Sequence, residues 1–421
     1  MDFRITGCRV FLDGAFVPAD VEVRGGAVFR IAPSLSDVPA LPVFEFHNAL
    51  LLPGLIDVHV HLRDPGFSFK ETMRTGTMAA ARGGYATVCP MPNLDPVPDS
   101  AAHLACELQR IRDDAVVRVL PYAAITVGER GETLADMEAL APACVAFSDD
   151  GRGVQSEAMM REAMRRARAL GKIIAAHCED ETLLRGGYIH DGAYARAHGH
   201  CGICSESEWK QVERDVALAA ETGCAYHVCH VSTKESVAIL RRAKAAGVDV
   251  TCETAPHYLL LTEDALQEDG RFKMNPPLRA RADREALIEG LLDGTIDMIA
   301  TDHAPHTAAE KSRGLAGSAM GVVGLECALS VLYTGLVEPG IVPLARLIEC
   351  MTTAPARRFG LQSGIRPGAP ADLAVFDPDA RWVIDPAAFA SMGRATPFAG
   401  QAVTGRVKLT ICEGEIVWRA E

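Results

Sequence analysis

No apolar run in the 421-residue chain approaches the roughly 20 residues that a helix needs to cross a bilayer. The opening MDFRITGCRVFLDG lacks a basic segment leading into an apolar one. Neither a membrane partner nor a secretory leader is expected, and the chain reads as cytoplasmic. Positive charge is not in surplus either: 42 Lys and Arg stand against 55 Asp and Glu, a formal net charge of -13. Nucleic acid, whose phosphates require a basic surface, is excluded as a partner on that ground. A second CxxC is missing as well. Cys201 and Cys204, with His198 and His200 beside them, form the only such pair, and one pair alone favours loop packing over a metal knuckle. The 13 cysteines are odd in number and most stand singly inside apolar runs (Cys89, Cys144, Cys178, Cys229, Cys252), as reduced core thiols do.

What is present is the balance of a globular protein with ample core: 48% hydrophobic and 23% charged residues. The length exceeds one ordinary domain of roughly 150 residues, although barrels of about 250 fold as a unit, so one large and one small domain are expected. Both ends are β-rich. CRVFL, AFVPADVEV and AVFRIA are parted by Asp13-Gly14 and Gly25-Gly26, and DLAVFD, RWVID, VKLTICEG and EIVW share that texture. Neither end alone offers enough apolar face. Residues 1–50 and 361–421 should therefore meet in one small β-sandwich-like domain.

Between them, over residues 51–360, eight apolar runs recur: LLLPGLIDVHVH, ATVCPMPN, VVRVLPYAAIT, CVAFSDD, KIIAAHCED, CAYHVCHVS, VDVTCETAPHYL and IDMIATDHAPH. Each leads into a polar turn and most into a helical stretch. This alternation predicts an α/β protein with a parallel (β/α)8 TIM-like barrel. An open doubly wound sheet is the alternative, but no Gly-rich phosphate fingerprint follows the first strand. Ser232 and Glu235 read as a capping box for a helix ending at Gly247, and SEAMMREAMRRARALG should end at Gly171.

In LIDVHVHLRDPG, Asp57, His59, His61 and Arg63 share one parity and Val58, Val60 and Leu62 the other, so two imidazoles on one strand face can clamp a metal ion while the valines pack outward. Nearly every other run ends in a polar or ionisable group: Asn93; Asp149 and Asp150; His177 and Glu179; His227 and His230; His257; Asp302, His303 and His306. In a barrel these ends converge on one mouth. A zinc site is the chemistry they suit, with ligands enough for two ions. Parity lets only one of His227 and His230 reach the mouth, and only one of Asp302 and His303. It does not separate Asp149 from Asp150.

The ordered set DVHVHLRDPG, PMPN, FSDDG, AHCED, HVCHVSTKE, KMNPPLR and ATDHAPH, with the closing TPFAG, resembles dihydroorotase of the long bacterial type within the amidohydrolase superfamily. The resemblance covers nearly the whole chain. It implies reversible closure of N-carbamoyl-L-aspartate to L-dihydroorotate in pyrimidine synthesis. By the same likeness His59, His61 and Asp302 hold one zinc ion and His177 and His230 a second, with Asp150 and a hydroxide bridging them. Many relatives bridge with a carboxylated lysine, and the CVAFSDD run contains none. Asp302 is implied as the catalytic proton carrier. His61, Arg63, Asn93, Asn275, His306 and the Met320-Gly321 backbone are implied as substrate contacts. Two departures are local: Asp64 stands where Glu is more usual, and HCGICSE is cysteine-rich.

Two other readings compete with this one. An allantoinase or hydantoinase shares the HxH start but lacks an arginine set for a substrate carboxylate, so Arg63 and MNPPLR favour dihydroorotase. A silent homologue assembled with aspartate transcarbamoylase would have lost ligands, and all are present. Besides the small-molecule substrate, the resemblance admits a second copy of the chain and aspartate transcarbamoylase as partners. Residues 307–319, TAAEKSRGLAGSA, offer almost no large apolar anchor and are expected to act as a lid, open to trypsin at Lys311 and Arg313.

Overall fold

The structure is a computed structural model that describes residues 1–35 and 41–420. Strands β1 (Phe3–Leu12), β2 (Ala15–Arg24), β3 (Ala27–Ala32), β4 (Val43–Glu45) and β5 (Leu50–Pro53) come first. The middle supplies β6 (Leu55–Val60), β7 (Tyr85–Pro90), β8 (Arg118–Val119), β9 (Ala123–Ala124), β10 (Phe147–Ser148) and β11 (Ile174–Ala176). A side pair follows, β12 (Ile189–His190) and β13 (Gly202–Ile203), then β14 (Tyr226–Val228), β15 (Val250–Thr254) and β16 (Met298–Ile299). The last strands are β17 (Leu373–Val383), β18 (Ala402–Cys412) and β19 (Glu415–Arg419).

The two ends of the chain share one sheet, in the order β19-β18-β17-β5-β1-β2-β3, with β4 added to β1. Strand β5 is the seam, antiparallel to β17 and parallel to β1. Alternate residues of these strands, Phe3, Ile5, Val21, Leu51, Leu373 and Leu409, fill one buried cluster. The run LLLPGLIDVHVH is thus two strands in two sheets. It divides at Gly54, whose N–H donates to the Asp372 carbonyl at 2.7 Å, and where an added Cβ would lie 2.5 Å from that of Ala86.

The middle strands pair in parallel as β6-β7-β8 and β9-β10-β11-β14-β15-β16. The two sets are halves of one circuit. Strands β8 and β9 belong to the single run VVRVLPYAAIT, interrupted at Pro121, which has no N–H to give. Leu120 and Tyr122 on either side still donate to Val88 and Pro90 at 3.0 Å each. At the other end a parallel bridge joins Val60 to His303, and the His61 N–H donates to the His303 carbonyl at 2.8 Å. The pairings therefore return to their start, with β6 next to the last run.

Strict alternation along β6 is interrupted by a register shift between Asp57 and Val60. Val58 joins an apolar cluster with Cys89, Ala175 and Met298, whereas Val60 joins the larger cluster beneath the helices. The helix Lys234–Ala245 is capped one residue later than expected, by Thr233, whose side chain accepts from Ser236 N. Ser232 is taken by the buried Glu208 carboxylate, which receives its backbone N–H at 3.1 Å. Gly247 and Gly171 end their helices in the left-handed region, at φ 79° and 66°.

Candidate metal centre

His59 comes from β6, and His61 from the turn directly after it. Their ring nitrogens approach the carboxylates of Asp302, after β16, and Asp150, after β10. His61 Nε2 lies 3.1 Å from Asp302 Oδ1 and 3.5 Å from Asp150 Oδ2. His59 Nε2 lies 3.4 Å from Asp150 Oδ1. His230 Nε2 is 3.6 Å from that same oxygen and 2.9 Å from His177 Nδ1. Ligand atoms of His59, His61 and Asp302, and of His59, Asp150 and His230, lie within 4.8 Å of one another.

The outer ring nitrogens decide what the inner ones offer. His59 Nδ1 donates to Glu253 at 2.7 Å, His61 Nδ1 to the Asn93 amide oxygen at 2.9 Å, and His177 Nε2 to Glu179 at 3.4 Å. A neutral imidazole that donates from one nitrogen has a lone pair on the other. The inner faces of these rings are therefore acceptors, and they look at carboxylates, which are also acceptors. His59 Nε2 and Asp150 Oδ1 are buried and make no hydrogen bond among the described residues. Acceptors converging in a buried space call for cations between them. The donor set of imidazole and carboxylate suits zinc.

Burial would raise the Asp302 carboxyl, but the side chains it faces at this centre, His61 foremost, hold it down to about 2. It is a carboxylate at neutral pH and can take a proton. Arg63, also buried, is pushed down to about 10 and remains a cation. Arg63, His230 and Asp302 adopt φ of 61°, 33° and 48°. At these three positions left-handed backbone turns a side chain out of its strand run toward the mouth.

The neighbours that parity could not separate differ plainly. Asp149 Oδ1 accepts from the backbone N–H groups of Ile125 and Thr126 at 2.8 and 3.0 Å, and Oδ2 accepts from the Thr126 hydroxyl. It braces a loop, while Asp150 faces four histidines. His227 points to Glu253 and Thr251 instead of the centre, and His303 to Glu71 and the Gly324 N–H.

A cavity of about 230 Å³ opens over the centre. Arg63, Asn93, Asn275, His306, Met320 and Gly321 line it, together with His61, Asp150, His177, His230 and Asp302. Asn275 also donates to Glu179 at 3.1 Å, so both asparagines brace imidazoles as well as facing the cavity.

The expected lid is anchored. Residues Ala308–Lys311 and Gly314–Gly317 form short helices, and Leu315 is fully buried. Lys311 is buried too, its ammonium donating to the carbonyls of Lys273, Ala319 and Gly321 at 3.0, 2.7 and 2.7 Å. A lysine satisfied by three internal carbonyls is a tie and no site for trypsin; Arg313 alone of the two is exposed.

The cluster at 198–204 is a different matter. His200 accepts from the Tyr188 hydroxyl at 2.9 Å and donates to Glu268 at 2.7 Å, and His198 stacks on Tyr194 with centroids 4.0 Å apart. Cys201 and Cys204 point to different carbonyls, and the groups able to hold a metal among the described residues do not include them. All 13 cysteines are free, 10 of them buried.

Reading the sequence missed Glu253, which receives His59 on one oxygen and His227 on the other, at 2.7 and 3.1 Å. A lone carboxylate inside VDVTCET was the available signal.

A family model described as dihydro-orotase-like matches residues 48–236. A dihydroorotase of Geobacillus kaustophilus (strain HTA426) is 54% identical over 410 residues, covering 96% of this chain and 96% of its own. One of Geobacillus thermodenitrificans (strain NG80-2) is 52% identical over 410 residues, with the same coverage. The chain belongs to the dihydroorotase family. The match to these relatives covers 96% of the chain, both β-rich ends as well as the middle. Among solved structures, L-hydantoinase (dihydropyrimidinase) from Arthrobacter aurescens matches with a TM-score of 0.90 and 27% identity, over 99% of this chain and 96% of that one. Dihydropyrimidinase from Brevibacillus agri NCHU1002 shares the fold at a TM-score of 0.87 and 24% identity, over 100% of this chain and 95% of that one.

Proposed function

We propose that this chain is a dihydroorotase, a cytoplasmic enzyme interconverting N-carbamoyl-L-aspartate and L-dihydroorotate with two zinc ions per subunit. The observation that carries the reading is the single cavity in which Arg63 faces a buried centre of imidazole and carboxylate acceptors. His59, His61 and Asp302 would hold one ion and His177 and His230 the other, with Asp150 shared. The circuit of parallel strands is read as a (β/α)8 barrel over residues 51–360, and the shared sheet as a β-sandwich-like domain of residues 1–50 and 361–421.

The chemistry that zinc would supply here is Lewis acidity toward an amide carbonyl and activation of water near neutral pH. The protein's own groups do the rest. Arg63 grips the substrate's free carboxylate with its planar fork. Asn93, Asn275 and the Met320-Gly321 backbone orient the ring, and His306 offers a further contact. Asp302 takes the proton of the attacking water and returns it to the departing ring nitrogen; in the closing direction it removes that proton from the ureido nitrogen. Glu253 and Glu179 keep His59 and His177 turned inward.

The dihydroorotase relative at 54% identity favours this reaction over that of the hydantoinase at 27%, and Arg63 supplies the carboxylate partner that a hydantoin does not need. The test is turnover of dihydroorotate by purified protein, with zinc measured in the same sample. Fully metallated protein that opens hydantoin or allantoin but leaves dihydroorotate untouched would overturn the reading.

A further inference from the structure

His306 closes one side of the cavity, and its two ring nitrogens meet partners of opposite kind. Nε2 lies 2.7 Å from the Met320 carbonyl oxygen, which can only accept. Nδ1 lies 3.3 Å from the Lys70 ammonium, which can only donate. One state satisfies both: a neutral ring with its proton on Nε2. A second proton, on Nδ1, would point into a cation.

Lys70 is itself fixed. It pairs with Glu310 at 2.9 Å, and the other Glu310 oxygen accepts from the Thr307 N–H and hydroxyl at 2.9 Å each. The rings of Phe67 and Phe69 flank its ammonium, with centroids 5.6 and 5.7 Å away. Two backbone bonds of 2.8 Å, from Phe67 N to Arg63 O and from Lys70 N to Phe67 O, tie it to the turn that presents Arg63. The other charged groups facing His306 are Arg63, Lys311 and Glu310, the last 3.7 Å from Nδ1. Burial and the cations together push the imidazole down to about 3.

We infer that Lys70 is a positioning residue of the substrate pocket: by occupying Nδ1 it fixes His306 as a neutral Nε2–H donor. The ring then offers an anionic substrate one directed N–H, in exchange for the Met320 carbonyl, and takes no part in proton transfer. The substrate half of this inference rests on the proposed dihydroorotase reaction; the assignment of the proton does not.

The test uses the full-length, metal-loaded protein with 15N-labelled histidine, the His306 signals being assigned by their loss in His306→Gln. In the unaltered protein the ring should hold its proton on Nε2 throughout about pH 6 to 9, without titrating. In Lys70→Met it should titrate in that window or populate the Nδ1–H form, and Lys70→Arg should restore the original state. The KM of Lys70→Met for dihydroorotate should rise roughly two- to tenfold, the worth of one neutral hydrogen bond, with kcat changed less than about twofold. A proton on Nδ1 in the unaltered protein, or titration near the ordinary value, overturns the inference even if Lys70→Met does not fold. So does an unchanged ring state in a folded Lys70→Met. Failure to turn over dihydroorotate while the ring state is as expected would strike the proposed reaction and leave the Lys70 assignment standing.

Discussion

The chain carries two clusters rich in metal-ligating residue types, one at the mouth formed by the ends of β6, β10 and β16 and one on the side pair β12–β13. In the second, His198, His200, Cys201 and Cys204 lie within seven residues of sequence, and their ring nitrogens and thiols find tyrosine, glutamate and backbone partners. In the first, ligands come from segments hundreds of residues apart, and the inner atoms of His59 and Asp150 find no hydrogen-bond partner among the described residues. Residue type does not distinguish the two, and proximity in sequence favours the wrong one. Satisfaction does: a cluster whose hydrogen bonds are complete has no need of an ion, and one whose buried acceptors face each other does.

The largest expected effect would break this contrast outright if it failed. Asp150→Ala should lose most bound metal and nearly all activity, whereas Asp149→Ala should retain metal and lose stability through its loop, since its three donors are in Ile125 and Thr126. Zinc analysis beside thermal unfolding separates the two, and equal metal loss in both would void the assignment. A lysine at the centre carrying the added mass of carboxylation would sink the aspartate bridge as well. Next comes Asp302→Asn, which should fold and bind but slow turnover by roughly 10²- to 10⁴-fold, the range for a lost general acid–base. Metal must be measured in parallel, and brisk turnover by the fully metallated variant would remove Asp302 as proton carrier.

A smaller change, Glu253→Gln, should weaken metal binding about 10- to 100-fold, because an amide holds the His59 ring less firmly than a carboxylate. Titration with a zinc chelator reads this directly; unchanged affinity would reduce Glu253 to packing. On the other side of the contrast, replacing His198, Cys201 and Cys204 together by alanine should leave zinc content and kcat/KM unchanged. Loss of one zinc equivalent would show that complete hydrogen bonding is no guide.

The smallest effect also belongs to the side pair. Burial, with Arg279 beside it, pushes the His190 imidazole down to about 4. An exposed imidazole titrates near 6.5, so between those values the unfolded chain binds a proton that the folded one refuses, and stability falls as pH drops through that window. The slope is at most about 1.4 kcal/mol per pH unit. Urea midpoints at pH 7 and 5 should drop less for His190→Asn than for the unaltered chain; equal drops would assign the proton elsewhere.

Much of this was legible in the sequence because period and parity carry real geometry. Eight apolar runs anticipated the parallel pairings, and the pairs His227/His230 and Asp302/His303 each divide into one inward and one outward member, although His230 and Asp302 lie past the ends of β14 and β16 and are turned by left-handed backbone. What was not legible depended on partners distant in sequence. Gly54 divides its run because Asp372 meets it there, and Ser232 is no cap because Glu208 holds it. Lys311 reads as a surface lysine in AAEKSRG, yet three carbonyls from 273, 319 and 321 bury it. Asp150 was chosen over Asp149 by likeness alone, since both follow the same broken strand, and only their hydrogen bonds tell them apart.

Strand β5 has a consequence for how the chain is made. Leu50, Leu51 and Leu52 are all but completely buried in the finished molecule, and one edge of their strand pairs only with β17, which follows more than three hundred residues later. At a synthesis rate of about 5–20 residues per second that edge emerges from the ribosome roughly 15 to 60 seconds before its partner exists. For that interval the nascent chain shows three leucines on an open strand edge, a template for the wrong neighbour. His61 likewise waits for His303. The centre cannot assemble before Asp302 has been made, and β5 cannot close its second edge before β17 has.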